Sequence, residues 1–245
     1  MIIFQECKKL FQNGNLKQMV NQKISLEEAK IDESKRPRFL AELLSEPIPY
    51  CEGICYDPDG KLAKEWFEEQ LRGLGASEEI ASQVVNQPLM QRSFSNSIAG
   101  FPTASYLLGS GNKPPLFVGT RLFSKNYTEG EIRHLLREHE GTHFRQVAIG
   151  IPYFDTVQFR DAWIENKIRP ITAHNIVELD ANHQSLKALQ EGKYEVRINY
   201  GQRVLGHYLS GITSLYNLFT DSKSEEEMSF IRQTLKGVPH TLSKN

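Results

Sequence analysis

Apolar positions recur at three- and four-residue intervals along much of this chain, and the clearest run lies at 128–150. Ile132, Leu135, Leu136, His139, His143 and Val147 share one stripe at helical spacing. Thr128 and Glu131 make a Thr-x-x-Glu capping box at the start. Gly150, with Pro152 just beyond, stops the helix. Pro170 opens a second helix, from about Ile171 to Glu191, which Gly192 ends. A third runs from about Asn199 to Phe219 with Leu205, Leu209, Ile212, Leu215 and Phe219 as its core stripe. Gly201, Gly206, Gly211, Ser210 and Ser214 on that helix would let a neighbour approach closely. The last segment, from Ser222, reads as a capped, charged helix followed by a loose tail.

Upstream, Ser25-x-x-Glu28 caps one helix, and Phe39, Leu40, Leu43 and Leu44 mark another, with Pro37 separating the two. Asp57-Pro58-Asp59-Gly60 is a turn. Trp66, Phe67, Gln70 and Leu71 follow on a helix ending near Gly73 and Gly75, and Ser77 caps a short helix that runs to Pro88. The pattern then changes. Ser105–Leu108 and Leu116–Thr120 read as strands joined by a loop, a small β-ribbon directly upstream of the 128–150 helix. As an edge beside that helix, such a ribbon could hold an extended peptide as an added strand; ordinary core strands would read the same way. Tyr153, Phe154, Phe159 and Trp163 lie in what reads as an irregular aromatic connector. The expected class is α+β, mostly α. Residues 1–100 form a mainly helical N-terminal region and 101–245 a core, unless the two make one continuous domain.

Composition narrows the function. The 245 residues are 24% charged with a net charge of −1, so no basic field points to nucleic acid or an anionic membrane. No apolar run approaches membrane-spanning length. Met1–Glu6 lacks the basic start and apolar region of a signal peptide. Three cysteines are an odd number and too few for a disulfide framework, which is simplest in a cytoplasmic setting; export without a cleaved signal stays open. Cys51 and Cys55 have no second pair to complete a structural zinc site and read as two reduced thiols in a loop. A thiolate capping a metal elsewhere is the minor alternative.

The helix at 128–150 carries His139-Glu140-x-x-His143. Residues four apart project from one helical face, so both imidazoles can bind one metal ion. Glu140 sits one position round, where a carboxylate can take a proton from a water that the metal activates. A buried helix with two hydrogen-bonded histidines and a chance Glu is the bland alternative. A catalytic zinc usually has three protein ligands and one open position. Downstream candidates for the third are Asp155, Asp161, Glu165, His174, Glu178, Asp180 and His183. A long helix beside the motif helix would hold its ligand rigidly, which favours the one at 171–191. There Glu178 sits amid Ile176, Val177, Leu179 and Ala181, where an uncompensated charge is costly. At about 100° per residue, Asp180 points roughly opposite to Glu178, His183 lies well over a quarter-turn away, and His174 is only about 40° off.

His139-Glu140-Gly141-Thr142-His143, followed by Glu178-Leu179-Asp180-Ala181-Asn182 on a later helix, resembles the zincin metallopeptidases, in particular their gluzincin branch. The resemblance covers about residues 104–191. It implies a zincin-like fold, with a small β-sheet on the motif helix and a mainly helical C-terminal half. It implies one zinc ion per chain held by His139, His143 and Glu178, Glu140 as general base and proton shuttle, and a peptide or protein as substrate. Ala181 would let the two helices pack closely. Where many gluzincins have an Asp that accepts a hydrogen bond from a ligand His, this chain has Asn182, whose amide oxygen could accept with less pull. No His follows at the spacing of the metzincin branch. Gly141-Thr142-His143-Phe144-Arg145 is also similar to a tubulin-tail tyrosine carboxypeptidase family, whose motif has an extra residue between Glu and His. Tyr200, Arg203, His207 and Tyr208 are candidates to stabilise an oxyanion. An inactive zincin-like protein that binds a partner, and a zinc hydrolase of a non-peptide substrate, are the competing readings.

Overall fold

A computed structural model describes residues 31–88, 90, 99–100, 113–124, 127–150, 156–221 and 224–237. It is mostly helical with one small sheet, the α+β class expected. The described residues fall into two compact units, one within 26–149 and the other within 150–245. The capping box at Ser25 and Glu28 and the strand at Ser105–Leu108 lie outside the described residues. No helix among those described is long and apolar enough to cross a membrane.

The first unit opens with helix α1 (Arg36–Ser45), which carries Pro37 in its first turn and buries Phe39 and Leu43. Proline is tolerated there because the first-turn N–H groups have no intrahelical acceptor. Strand β1 (Ile54–Tyr56) follows. Cys55 therefore lies in a strand rather than a loop; its side is set by pairing with a segment far along the chain, which no local pattern announces. Asp57, buried, ends the strand and starts helix α2 (Lys61–Gly73). Its carboxylate accepts from the N–H groups of Leu62 at 3.2 Å and Ala63 at 2.8 Å, donors that the first helical turn leaves unpaired. Ser77 caps helix α3 (Glu78–Val85), which packs on α2.

Strands β2 (Ala99–Gly100) and β3 (Leu116–Val118) complete the sheet, in the order β1-β3-β2. β3 pairs parallel with β1, Cys55 opposite Phe117, and antiparallel with β2, Gly100 opposite Phe117. Leu116, Phe117 and Val118 are all buried, as a middle strand's residues should be. Of the two readings of Leu116–Thr120, peptide-holding edge or ordinary core strand, β3 follows the second: it is paired on both sides. Helix α4 (Arg121–Ser124) leads to the motif helix, which is made of three pieces: α5 (Glu129–His134), a π-helical segment π1 (Leu135–Glu140) and α6 (Gly141–Ile149). The capping box at Thr128 and Glu131 is formed with both reciprocal bonds. Gly150, at φ +94°, ends α6 in a conformation that other residues rarely adopt. Glu46, just past the end of α1, pairs with Arg133 and with Arg137 at 3.5 Å, and the Arg133 guanidinium lies 5.1 Å over the Phe39 ring. These contacts tie α1 to the motif helix.

The second unit is helical among its described residues. Of the irregular connector expected at Tyr153, Phe154, Phe159 and Trp163, the first two lie outside the described residues, and the last two lie on helix α7 (Thr156–Ile164); Phe159 is its buried anchor, edge-on to Phe230 at 5.9 Å. The ring contacts that order it lie far along the chain, so its sparse apolar positions gave no helical period. Helices α8 (Pro170–Gln190) and α9 (Ile198–Asp221) pack along each other, and α10 (Glu225–Gly237) packs on both. Gly211 of α9 sits so close to α8 that a Cβ there would lie 3.2 Å from Leu179 Cδ1, whereas one at Gly206 would meet open space. Of the small residues expected to admit a neighbour, Gly211 does so and Gly206 does not. Glu227 of α10, buried, accepts from the Arg169 backbone N–H at 3.1 Å, Arg169 Nε at 2.9 Å and Thr172 Oγ1 at 2.5 Å. A carboxylate thus caps the N-terminus of α8, where the helix dipole favours negative charge.

Candidate metal centre

The motif helix does not keep a regular α register through the motif. The N–H of Gly141 reaches back to the carbonyl of Leu136, five residues earlier, and Thr142 Oγ1 donates to the carbonyl of Glu138 at 2.5 Å. A π turn holds more residues than the 3.6 of an α-helix, so each residue turns by less than 100°. The roughly 40° offset of an i,i+4 pair shrinks accordingly. His139 lies in π1 and His143 in α6, with ring centroids 5.0 Å apart, edge to face. His143 is buried and His139 half-buried. Strand β2 runs beside π1.

A second feature escaped the sequence. Gln146, fully buried, places Oε1 2.9 Å from Nδ1 of His143. An amide oxygen only accepts, so this bond forms when Nδ1 carries the proton, the tautomer in which Nε2 keeps its lone pair for a ligand. The signal was a polar residue between buried Phe144 and Val147, three positions after His143 on the same helix. Asn182, on α8, is half-buried. Gln146 is thus an acceptor beside a candidate ligand that the sequence reading did not name.

On α8, Glu178 is half-buried between buried Val177 and Leu179, with Ala181 fully buried one turn on. His139 and His143 thus stand together in the first unit, and Glu178 stands on α8 of the second. Two imidazoles and one carboxylate are a donor set that suits zinc. Glu140, next to His139, is half-buried in π1.

The rival ligands fall elsewhere. His174, Asp161 and Glu165 are exposed, and Asp155 lies outside the described residues. Asp180 is fully buried and accepts from Gln184 at 3.4 Å. His183 stacks on Tyr208 at 5.6 Å, and burial pushes its pKa down against the pull of the Asp180 charge. Among the four oxyanion candidates, Tyr200 and Tyr208 are buried while Arg203 and His207 are exposed. Cys51 and Cys55 are free thiols; burial pushes Cys51 up to about 11 and raises Cys55 as well, the reverse of a thiolate poised to bind metal. The chain matches no protein-family model, no curated protein and no solved structure.

Proposed function

We propose that this protein is a zinc-dependent metallopeptidase of the zincin type, gluzincin-like, with His139, His143 and Glu178 as ligands of one zinc ion and Glu140 as general base. The observation that carries this reading is the meeting of the His139 and His143 rings across the end of π1, centroids 5.0 Å apart, with Glu140 beside His139 in the chain and Gln146 against His143. Zinc in such a site supplies Lewis acidity, lowering the pKa of water toward about 7 and polarising a carbonyl. The remaining roles belong to the chain. His143 is held in one tautomer by Gln146. Glu140, adjacent to a ligand but outside the ligand set, takes a proton from the attacking water and returns it to the leaving amine. Glu178 adds a negative charge that a dication compensates, which removes the cost of setting a carboxylate among apolar side chains.

Protein purified without added metal should carry about one zinc per chain by elemental analysis. Glu140→Gln should keep that zinc and lose about 10²- to 10⁴-fold in hydrolysis of a mixed peptide library, followed by mass spectrometry. Loss of zinc in this variant would make Glu140 a ligand and sink the assignment. Stoichiometric zinc in the parent without cleavage of any peptide would favour a hydrolase of another substrate class.

A further inference from the structure

We infer that Gln146 is the positioning residue of the metal centre: from within the motif helix its amide oxygen locks His143 in the Nδ1–H tautomer and so aims Nε2 at the ion. The inference rests on the metallopeptidase reading for its consequence, but its geometry stands apart from any ion. Gln146 is fully buried, and a buried amide oxygen without a partner costs about 1–3 kcal/mol. The His143 ring satisfies it at 2.9 Å. Because donor and acceptor are three residues apart on one helix, the bond needs no other element to form. The acceptor is built into α6 itself, on the helix that carries the ring it orients. A neutral amide also draws the ring proton less than a carboxylate does, so His143 is a weaker donor to metal than it would be beside an Asp.

The test compares Gln146→Met, which keeps length and loses the acceptor, with Gln146→Glu, which keeps an acceptor atom and adds charge. Zinc affinity is read by competition with a chelator. Gln146→Met should lose about 10- to 100-fold relative to the parent. Gln146→Glu should bind at least as tightly as the parent. Nitrogen-15 NMR of the metal-free parent, at a pH where the ring is neutral, should show His143 protonated on Nδ1; in Gln146→Met it should become a mixture of tautomers. A purely structural role would leave the tautomer unmoved and would not be rescued by Glu. An Nε2–H tautomer in the metal-free parent overturns the inference, as does parent-like zinc affinity in Gln146→Met. Should the Met variant not fold, the parent's tautomer and the Glu variant decide. Failure of the parent to bind zinc removes the metallopeptidase reading, while the tautomer measurement still judges Gln146.

Discussion

The helix at 129–149 and helix α8 (Pro170–Gln190) both carry candidate ligands, and they are built in opposite ways. The motif helix departs from regular geometry where its chemistry lies: π1 spans Leu135–Glu140, and His139 and His143 meet across its end. α8 is α-helical for 21 residues, capped by Glu227, and pressed at Leu179 against Gly211. In the first, local spacing with a shifted register builds a pair of ligands. In the second, an ordinary helix carries one candidate ligand, Glu178. The lesson is that irregular backbone is used where two side chains must converge, and regular backbone where one must only be held still.

The sharpest way to break this comparison is at Glu178. Glu178→Ala should weaken zinc binding by about 100-fold or more, since it removes a ligand rather than its support. His174→Ala should leave the affinity unchanged. If His174→Ala strips the metal and Glu178→Ala does not, the site has three histidines and α8 contributes through the wrong residue.

Stability tests come next, because the two regions are anchored differently. Glu227→Ala deletes a buried carboxylate that accepts from Arg169 and Thr172 at the start of α8. It should cost about 2 kcal/mol, read as a lower urea midpoint. Asp57→Ala deletes only the two bonds at the start of α2 and should cost about 1 kcal/mol. A larger loss from Asp57→Ala would show that the order of anchoring is reversed.

The smallest effect concerns Cys51. Burial raises its pKa from about 9 to about 11 in the folded chain. The folded state therefore keeps a proton that the unfolded state releases, and stability should fall slightly as pH rises through that window. Cys51→Ser should flatten the fall. Alkylation of folded protein at pH 8 should be slow at this thiol and accelerate toward pH 11; rapid labelling at neutral pH would show a thiolate that the fold does not hold back.

Much of this protein was determined by sequence alone, because the forces involved are short-ranged. The Thr128–Glu131 box, the stop at Gly150 and the span of α8 depend on residues within a turn or two of each other. The His139-Glu140-x-x-His143 motif is equally local. Helical angles also set Asp180 opposite to Glu178, and Asp180 is fully buried while Glu178 is half-buried. Tertiary structure decided the rest. β1 exists because Ile54–Tyr56 finds Leu116–Val118 in parallel, a pairing between distant segments. α7 is ordered by Phe159 against Phe230, and β3 is enclosed rather than an edge. Angles could not separate His174 from Glu178, since only the fold says which face of α8 is covered. Nor could they show that Gln146 holds His143: periodicity records which positions are buried, and not which buried polar atoms find each other there.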